Sequence, residues 1–159
     1  MKKTLAILFG LLMSVSLFAQ NDKPYDEQAN AMEQINTAVA QANAEGKYVL
    51  CQVGGNWCPW CLRFSQMAES DTTIHQIIDQ NFVYIHVNFS QKNKNQEAMK
   101  RLQNPGRFGF PVFVILDGEG NVIHIQNSEY LEEGKGYSIK KVVDFLFQWT
   151  PTSVNTLRE

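Results

Sequence analysis

Two of the chain's three cysteines stand three positions apart, in Asn56-Trp57-Cys58-Pro59-Trp60-Cys61-Leu62. If Cys58 opens a helix, Cys61 lies one turn on and on the same face. The two Cα atoms are then roughly 5–6 Å apart, a span that a disulfide bridges. Cys58 also sits at the helix N-terminus, where unpaired N–H groups and the positive dipole end stabilise a thiolate. The thiolate is the nucleophile of disulfide exchange. This spacing therefore allows a reactive dithiol that closes on itself. It also allows a static structural bridge, although a bridge over so small a loop constrains the unfolded chain little.

Other chemistries fit less well. A closed zinc site takes four ligands. Only two cysteines are at ligand spacing, and His75 and His86 fall on a predicted helix and strand, so no metal is expected. Haem attachment fails because Leu62, not histidine, follows Cys61. Cys51 is left over and reads as a core residue, since free cysteine is commonly buried.

The elements that must position the pair follow from periodicity. From Asp26 the pattern turns helical, with Met32, Ile35, Val39 and Ala42 at helical spacing and Gly46 at the C′ position. Lys47 to Val53 reads as a buried strand, broken by Gly54-Gly55. The cysteine helix follows, carrying Leu62, Phe64 and Met67 to about Ser70. Asp71 or Thr72 caps a second short helix with Ile74, Ile77 and Ile78. Phe82 to Phe89 is the next strand, and Gln96 to Leu102 suits a short helix ended by Asn104-Pro105-Gly106. Phe110 to Leu116 is a strand with Pro111 near its start, where a missing N–H is tolerated. Asp117 to Asn121 is a turn, and Val122 to Gln126 its hairpin partner. Glu129 to Gly136 reads as a charged loop. Ser138 caps a last helix with Val142, Val143, Leu146 and Trp149 on one face, ended by Pro151. The first two strands are joined through helix, a parallel crossover. The expected fold is α/β: a mixed four-stranded sheet flanked by helices, with an extra N-terminal helix.

The ends of the chain read differently. Met1-Lys2-Lys3 is basic, Leu5 to Phe18 is a mostly apolar run of 14 residues, and Ala19 precedes polar Gln20-Asn21-Asp22. The run is too short for a comfortable membrane span. Residues 1–19 read as a secretory signal peptide, residues 20–151 as the domain, and residues 152–159 as a flexible tail. An uncleaved N-terminal anchor is the alternative. Cleavage after Ala19 removes Lys2 and Lys3 and takes the formal charge from −2 to −4. Lys92, Lys94, Lys100, Arg101 and Arg107 are locally basic and read as a solvated face, and no basic stripe suggests nucleic acid.

Together, the strand before Trp57-Cys58-Pro59-Trp60-Cys61, the helix it opens and the Phe110-Pro111 strand start resemble the thioredoxin-like superfamily. The likeness is to exported bacterial members with a W-C-x-W-C centre, over residues 30–150. It implies that Cys58 is the exposed attacking cysteine and Cys61 the buried resolving one. It implies that Pro111 is a cis-proline facing the dithiol and that the Phe110 backbone pairs with a bound peptide. Trp57, Pro59 and Trp60 would join that peptide contact, although both tryptophans could equally be plain surface aromatics. One position departs from the family. A buried acid usually stands six residues before the first cysteine, and Gln52 occupies that place, on the strand face opposite Cys51.

The implied activity is exported thiol–disulfide exchange with client proteins, without a bound cofactor. Pro59-Trp60 holds no charged residue or histidine to favour a strong oxidant, so a reductase or isomerase is expected. A reductase in an oxidising compartment also needs a membrane or periplasmic electron-transfer partner. A monomer is expected. The rival reading is a peptide-binding or chaperone-like module without redox turnover.

Overall fold

The computed structural model describes residues 23–156. The proposed signal peptide, residues 1–19, lies outside the described residues. Helix α1 spans Ala31–Glu45 and begins later than Asp26 because Asn30 caps it, its side chain accepting from Met32 N at 3.0 Å and Glu33 N at 3.3 Å. Gly46, at φ 67°, ends it in the left-handed conformation that a side chain disfavours. Strand β1 (Tyr48–Gly54) follows, then α2 (Pro59–Ser70) and α3 (Thr72–Asn81), the latter capped by Asp71. Next come β2 (Phe82–Asn88), α4 (Gln96–Arg101), β3 (Val112–Leu116) and β4 (Val122–Asn127). The chain closes with a small hairpin, β5 (Glu132–Glu133) and β6 (Gly136–Tyr137), then α5 (Ile139–Gln148) and α6 (Pro151–Asn155).

The sheet order is β2-β1-β3-β4. β1 runs parallel to β2 and antiparallel to β3, and β3–β4 is an antiparallel hairpin. This is the mixed four-stranded sheet read from the sequence, with α1 as the added N-terminal helix. The two-residue period of β1 divides its side chains between two cores. Val49, Cys51 and Val53 join the core under α1 and α4. Tyr48 and Leu50 join Phe64, Ile74, Phe113, Val142 and Leu146 in the core under α2, α3 and α5. β1 and β3 are buried throughout, as central strands between two helical layers must be. Cys51 is a free, fully buried thiol whose pKa burial pushes up to about 12.

Three local expectations change. The segment Glu129 to Gly136 is not plain loop: Ser128–Leu131 forms a 3-10 turn and β5–β6 a hairpin. Ser138 sits at the N-cap of α5, but its side chain makes no capping hydrogen bond. The expected flexible tail at 152–159 begins instead as α6. Thr150 caps it by accepting from Ser153 N at 3.2 Å, and Pro151 occupies the first turn, where its missing N–H costs nothing. Val154 packs on the core and Tyr48 Oη donates to Asn155 Oδ1 at 3.4 Å, which ties α6 to β1.

His86 on β2 pairs in register with Gln52 and meets the Tyr25 ring edge-on at 5.0 Å. Burial lowers its pKa from 6.5 to about 4. Between those values the unfolded chain binds a proton that the folded protein refuses, so stability falls as pH drops through that window and levels off below it. Urea unfolding at pH 7, 6, 5 and 4 is expected to show that loss, and His86→Gln to flatten it. An equal slope in the variant would assign the acid sensitivity to other groups.

Candidate active site

β1 ends at Gly54, and five residues later α2 begins. Pro59 takes the first helical position with its φ already suited to a helix. Cys58 is the N-cap, and its Sγ accepts from Cys61 N at 3.2 Å. The expectation that Cys58 opens a helix and Cys61 follows one turn on is met. The two Cα atoms are 5.2 Å apart and the sulfurs are joined as a disulfide. Among the described residues no three His, Cys, Asp or Glu side chains gather where a metal ion could sit.

The Phe110–Pro111 bond is cis, as the resemblance implied. Pro111 is buried, and Phe110 packs with Trp60 against the cluster of Tyr25, Cys58 and Cys61. Trp57 is 54% exposed, donates Nε1 to Phe89 O at 2.7 Å and meets Phe110 edge-on at 5.5 Å. Phe89 in turn stacks on Phe110. Pro59 is exposed and Trp60 half-buried, with the Arg63 guanidinium 4.9 Å above its ring. Trp60 and Phe110 thus pack beside the two cysteines and Trp57 packs on Phe110, while Pro59 and Pro111 are their neighbours along the chain. Grooves run past them on both sides: about 530 Å³ beside Trp57, Phe89 and Lys92, and about 520 Å³ beside Trp60, Phe108, Phe110, Glu129 and Glu132.

Exposure of Cys58 is a correction. The resemblance implied an exposed sulfur, yet Cys58 keeps only 4% of its surface and Cys61 none. Tyr25, Trp60 and Phe110 cluster with the two cysteines. The order of accessibility is as expected; its scale is not.

Behind Cys61 lies a polar network centred on Gln52. Gln52 is fully buried on β1. Its Nε2 reaches Tyr25 Oη at 2.5 Å, Cys61 O at 3.0 Å and Ser65 Oγ at 3.2 Å, and its Oε1 accepts from Tyr84 Oη. A carbonyl only accepts, so the Cys61 oxygen fixes which end of the amide faces it. Ser65 Oγ donates to Cys61 O at 3.1 Å and lies 2.9 Å from His86 Nε2. Tyr25, Ser65 and the β2 residues Tyr84 and His86 come from three places in the chain. No local pattern signals their meeting, except that Ser65 falls one helical turn after Cys61. Tyr25 is held by Asn56, whose Oδ1 accepts from Tyr25 N at 3.2 Å while its Nδ2 donates to Tyr25 O at 2.8 Å. Burial drives the Tyr25 phenol pKa far above its ordinary value, partly offset by the Gln52 hydrogen bond, so the hydroxyl keeps its proton.

A family model described as thioredoxin-like matches residues 30–118. The thiol:disulfide interchange protein DsbD of Pseudoalteromonas atlantica is 25% identical over 118 residues, covering 73% of this chain and 19% of that protein. DsbD of Colwellia psychrerythraea is 22% identical over 102 residues, covering 64% of this chain and 16% of that protein. The chain thus spans under a fifth of the length of these curated relatives. Among solved structures, a disulphide isomerase from Xylella fastidiosa matches with TM-score 0.70 and 24% identity, over 79% of this chain and 95% of that one. DsbH oxidoreductase matches with TM-score 0.50 and 21% identity, over 70% and 80% of the two chains. Both structures speak to the fold, and the fold agrees with the family match across more than half of the sequence. The chain belongs to the thioredoxin-like family, and its C-x-x-C pair is Cys58 and Cys61.

Proposed function

We propose that the protein is exported and exchanges disulfides with client proteins as a reductase or isomerase, Cys58 attacking and Cys61 resolving. One observation carries the assignment of roles: Cys58 caps α2 with its sulfur on the Cys61 N–H, while Cys61 has no surface at all. A sulfur at a helix N-terminus is favoured as thiolate by the helix dipole and by that N–H. In the forward direction the Cys58 thiolate attacks a client disulfide and releases one client thiolate. Cys61 then attacks the Cys58 sulfur of the mixed disulfide and expels the second. The client gains two electrons and two protons, and the Cys58–Cys61 bond holds the oxidised pair.

Export is supported by the basic, apolar and small-residue succession of residues 1–19. The direction is supported by Pro59-Trp60, which places no charge between the sulfurs. Thioredoxin-fold couples span roughly 150 mV, about 7 kcal/mol for two electrons, so the residues between the cysteines matter more than the fold. Client contact falls to Trp57, Pro59, Trp60, Phe110 and Pro111, beside the two grooves. A reductase also needs a partner that returns electrons to the pair. The DsbD relatives carry thiol:disulfide interchange in their names, which suits such a chain of exchanges.

Reduction of insulin disulfides by the full chain, followed by turbidity, tests the proposal. Cys58→Ser is expected to lower the rate to the uncatalysed background. Unchanged behaviour of that variant would assign the peptide-binding reading instead. Phe110→Ala is expected to raise the alkylation rate of Cys58 in the reduced protein, since that ring covers the sulfur. An unaltered rate would show that another group governs access. Gln52→Asp puts a carboxyl beside Cys61, and burial holds its pKa above about 3.9, closer to that of a useful proton acceptor. Stopped-flow measurement is expected to show faster resolution of the mixed disulfide, at a stability cost of about 1–3 kcal/mol for the broken network.

A further inference from the structure

Gly54 is crowded on the side where a side chain would stand. A Cβ there would lie 2.4 Å from Cys61 Sγ and 3.1 Å from Tyr25 Oη. The sulfur and the phenol oxygen therefore border the same small space and are no more than about 5.5 Å apart. Tyr25 is 2% exposed and clusters with Cys58 and Cys61. Its oxygen accepts from Gln52 Nε2, so its own hydrogen is not used in that bond. Among the described residues that hydrogen has no oxygen or nitrogen acceptor. The other titratable groups near Tyr25 are His86 and Tyr84 on β2, Tyr137 on β6, Cys58 at the N-cap of α2 and Cys61 within it, and no carboxylate is bonded into the network.

We infer that the Tyr25 hydroxyl donates a hydrogen bond to the Cys61 thiolate when the pair is reduced, making Cys61 competent to resolve the mixed disulfide. The inference rests on the proposed roles of Cys58 and Cys61 and adds the group that serves the second. The phenol keeps its proton throughout. Cys61 loses its own proton, attacks the Cys58 sulfur, forms the Cys58–Cys61 bond and breaks the bond from Cys58 to the client. The departing client thiolate takes up the proton. Gln52 acts as a positioning residue: its amide holds the phenol oxygen and so turns the O–H away from itself. Asn56 sets the Tyr25 backbone from the loop ahead of Cys58, so the donor is indexed to the dithiol rather than to the N-terminal segment.

The test mixes the reduced full chain with dithionitrobenzoate and follows absorbance at millisecond resolution. The first thionitrobenzoate leaves when Cys58 attacks, the second when Cys61 resolves. Two phases in the wild type uphold the attacker and resolver roles. Loss of the second phase in the wild type overturns those roles and the inference together. With both phases present, Tyr25→Phe is expected to slow the second about tenfold near neutral pH, a charge-assisted hydrogen bond's effect. It should also move the phase's pH midpoint up by about one unit, and the two proteins should converge once Cys61 is ionised in both. An unchanged second phase overturns the inference while leaving the roles of the cysteines intact. So does a slowing of equal size at every pH, the mark of a merely structural role. If Tyr25→Phe does not fold, the ζ-carbon resonance of Tyr25 in labelled Cys58→Ser protein decides. It is expected to titrate with the Cys61 thiol, and a flat response overturns the inference.

Discussion

The C-terminal end of β1 has no room for a side chain. At Gly54 the sulfur of Cys61 occupies the place where a Cβ would go, and at Gly55 the Trp57 indole does, with Nε1 2.4 Å from that position. These two approaches bring the first turn of α2 down onto the end of the sheet. The rest of the site depends on that descent. It brings Cys61 within reach of the β1 side chain Gln52, lets Trp57 bond to Phe89 O beyond β2, and sets Cys58 opposite Phe110 on the approach to β3. A methyl group at Gly54 would lift the helix terminus away from all three. The double glycine is thus a packing requirement of the dithiol more than a strand breaker.

Descent of the helix buries polar groups, and their satisfaction decides whether the arrangement is stable. An unpaired buried donor or acceptor costs about 1–3 kcal/mol, more than a formed hydrogen bond returns. Gln52 has both ends engaged, and Ser65 and Tyr84 close the ring around it. An acid at this position would add a titrating group to a dry environment, while the amide keeps the network neutral across the ordinary pH range. Neutrality has a consequence for the chemistry. With His86 held uncharged by burial and both tyrosines protonated, these neighbours offer a Cys61 thiolate oriented dipoles rather than an opposite charge.

The sequence made the frame legible because the frame is written in local periodicity. Cys58 and Cys61, the Asp71 cap, Gly46 and the β3–β4 hairpin each declare themselves within a few residues. The alternation of Cys51 and Gln52 was readable for the same reason, since a strand sends neighbours to opposite faces. What escaped was set by distance along the chain. Tyr25 sits in a polar lead-in with nothing to mark it, and its partners Gln52 and Asn56 are 27 and 31 residues away. Helix α6 is hidden because Pro151 reads as a stop, although with Thr150 as cap it opens a helix. The burial of Cys58 is not legible because two of the rings that cluster with it, Tyr25 and Phe110, come from distant parts of the chain. That sum of long-range contacts leaves no trace in the spacing around the cysteine.

Cover over Cys58 is not at odds with a nucleophile there. Burial disfavours a thiolate, while the helix terminus and the Cys61 N–H favour it, and both effects strengthen as water is excluded. Which prevails depends on how well the N–H groups at the head of α2 point at the sulfur, and Sγ already accepts one of them at 3.2 Å. The cover also has a particular source. Phe110 precedes the cis bond to Pro111, at the strand start where a bound peptide would pair on the proposed reading. Its ring is held between Phe89 and Trp57 at the mouth of the groove. A client strand arriving there has to meet the ring that shields the sulfur. On the proposed reading recognition and access are coupled, since the peptide pairs beside a ring that packs against the cluster of Tyr25, Cys58 and Cys61.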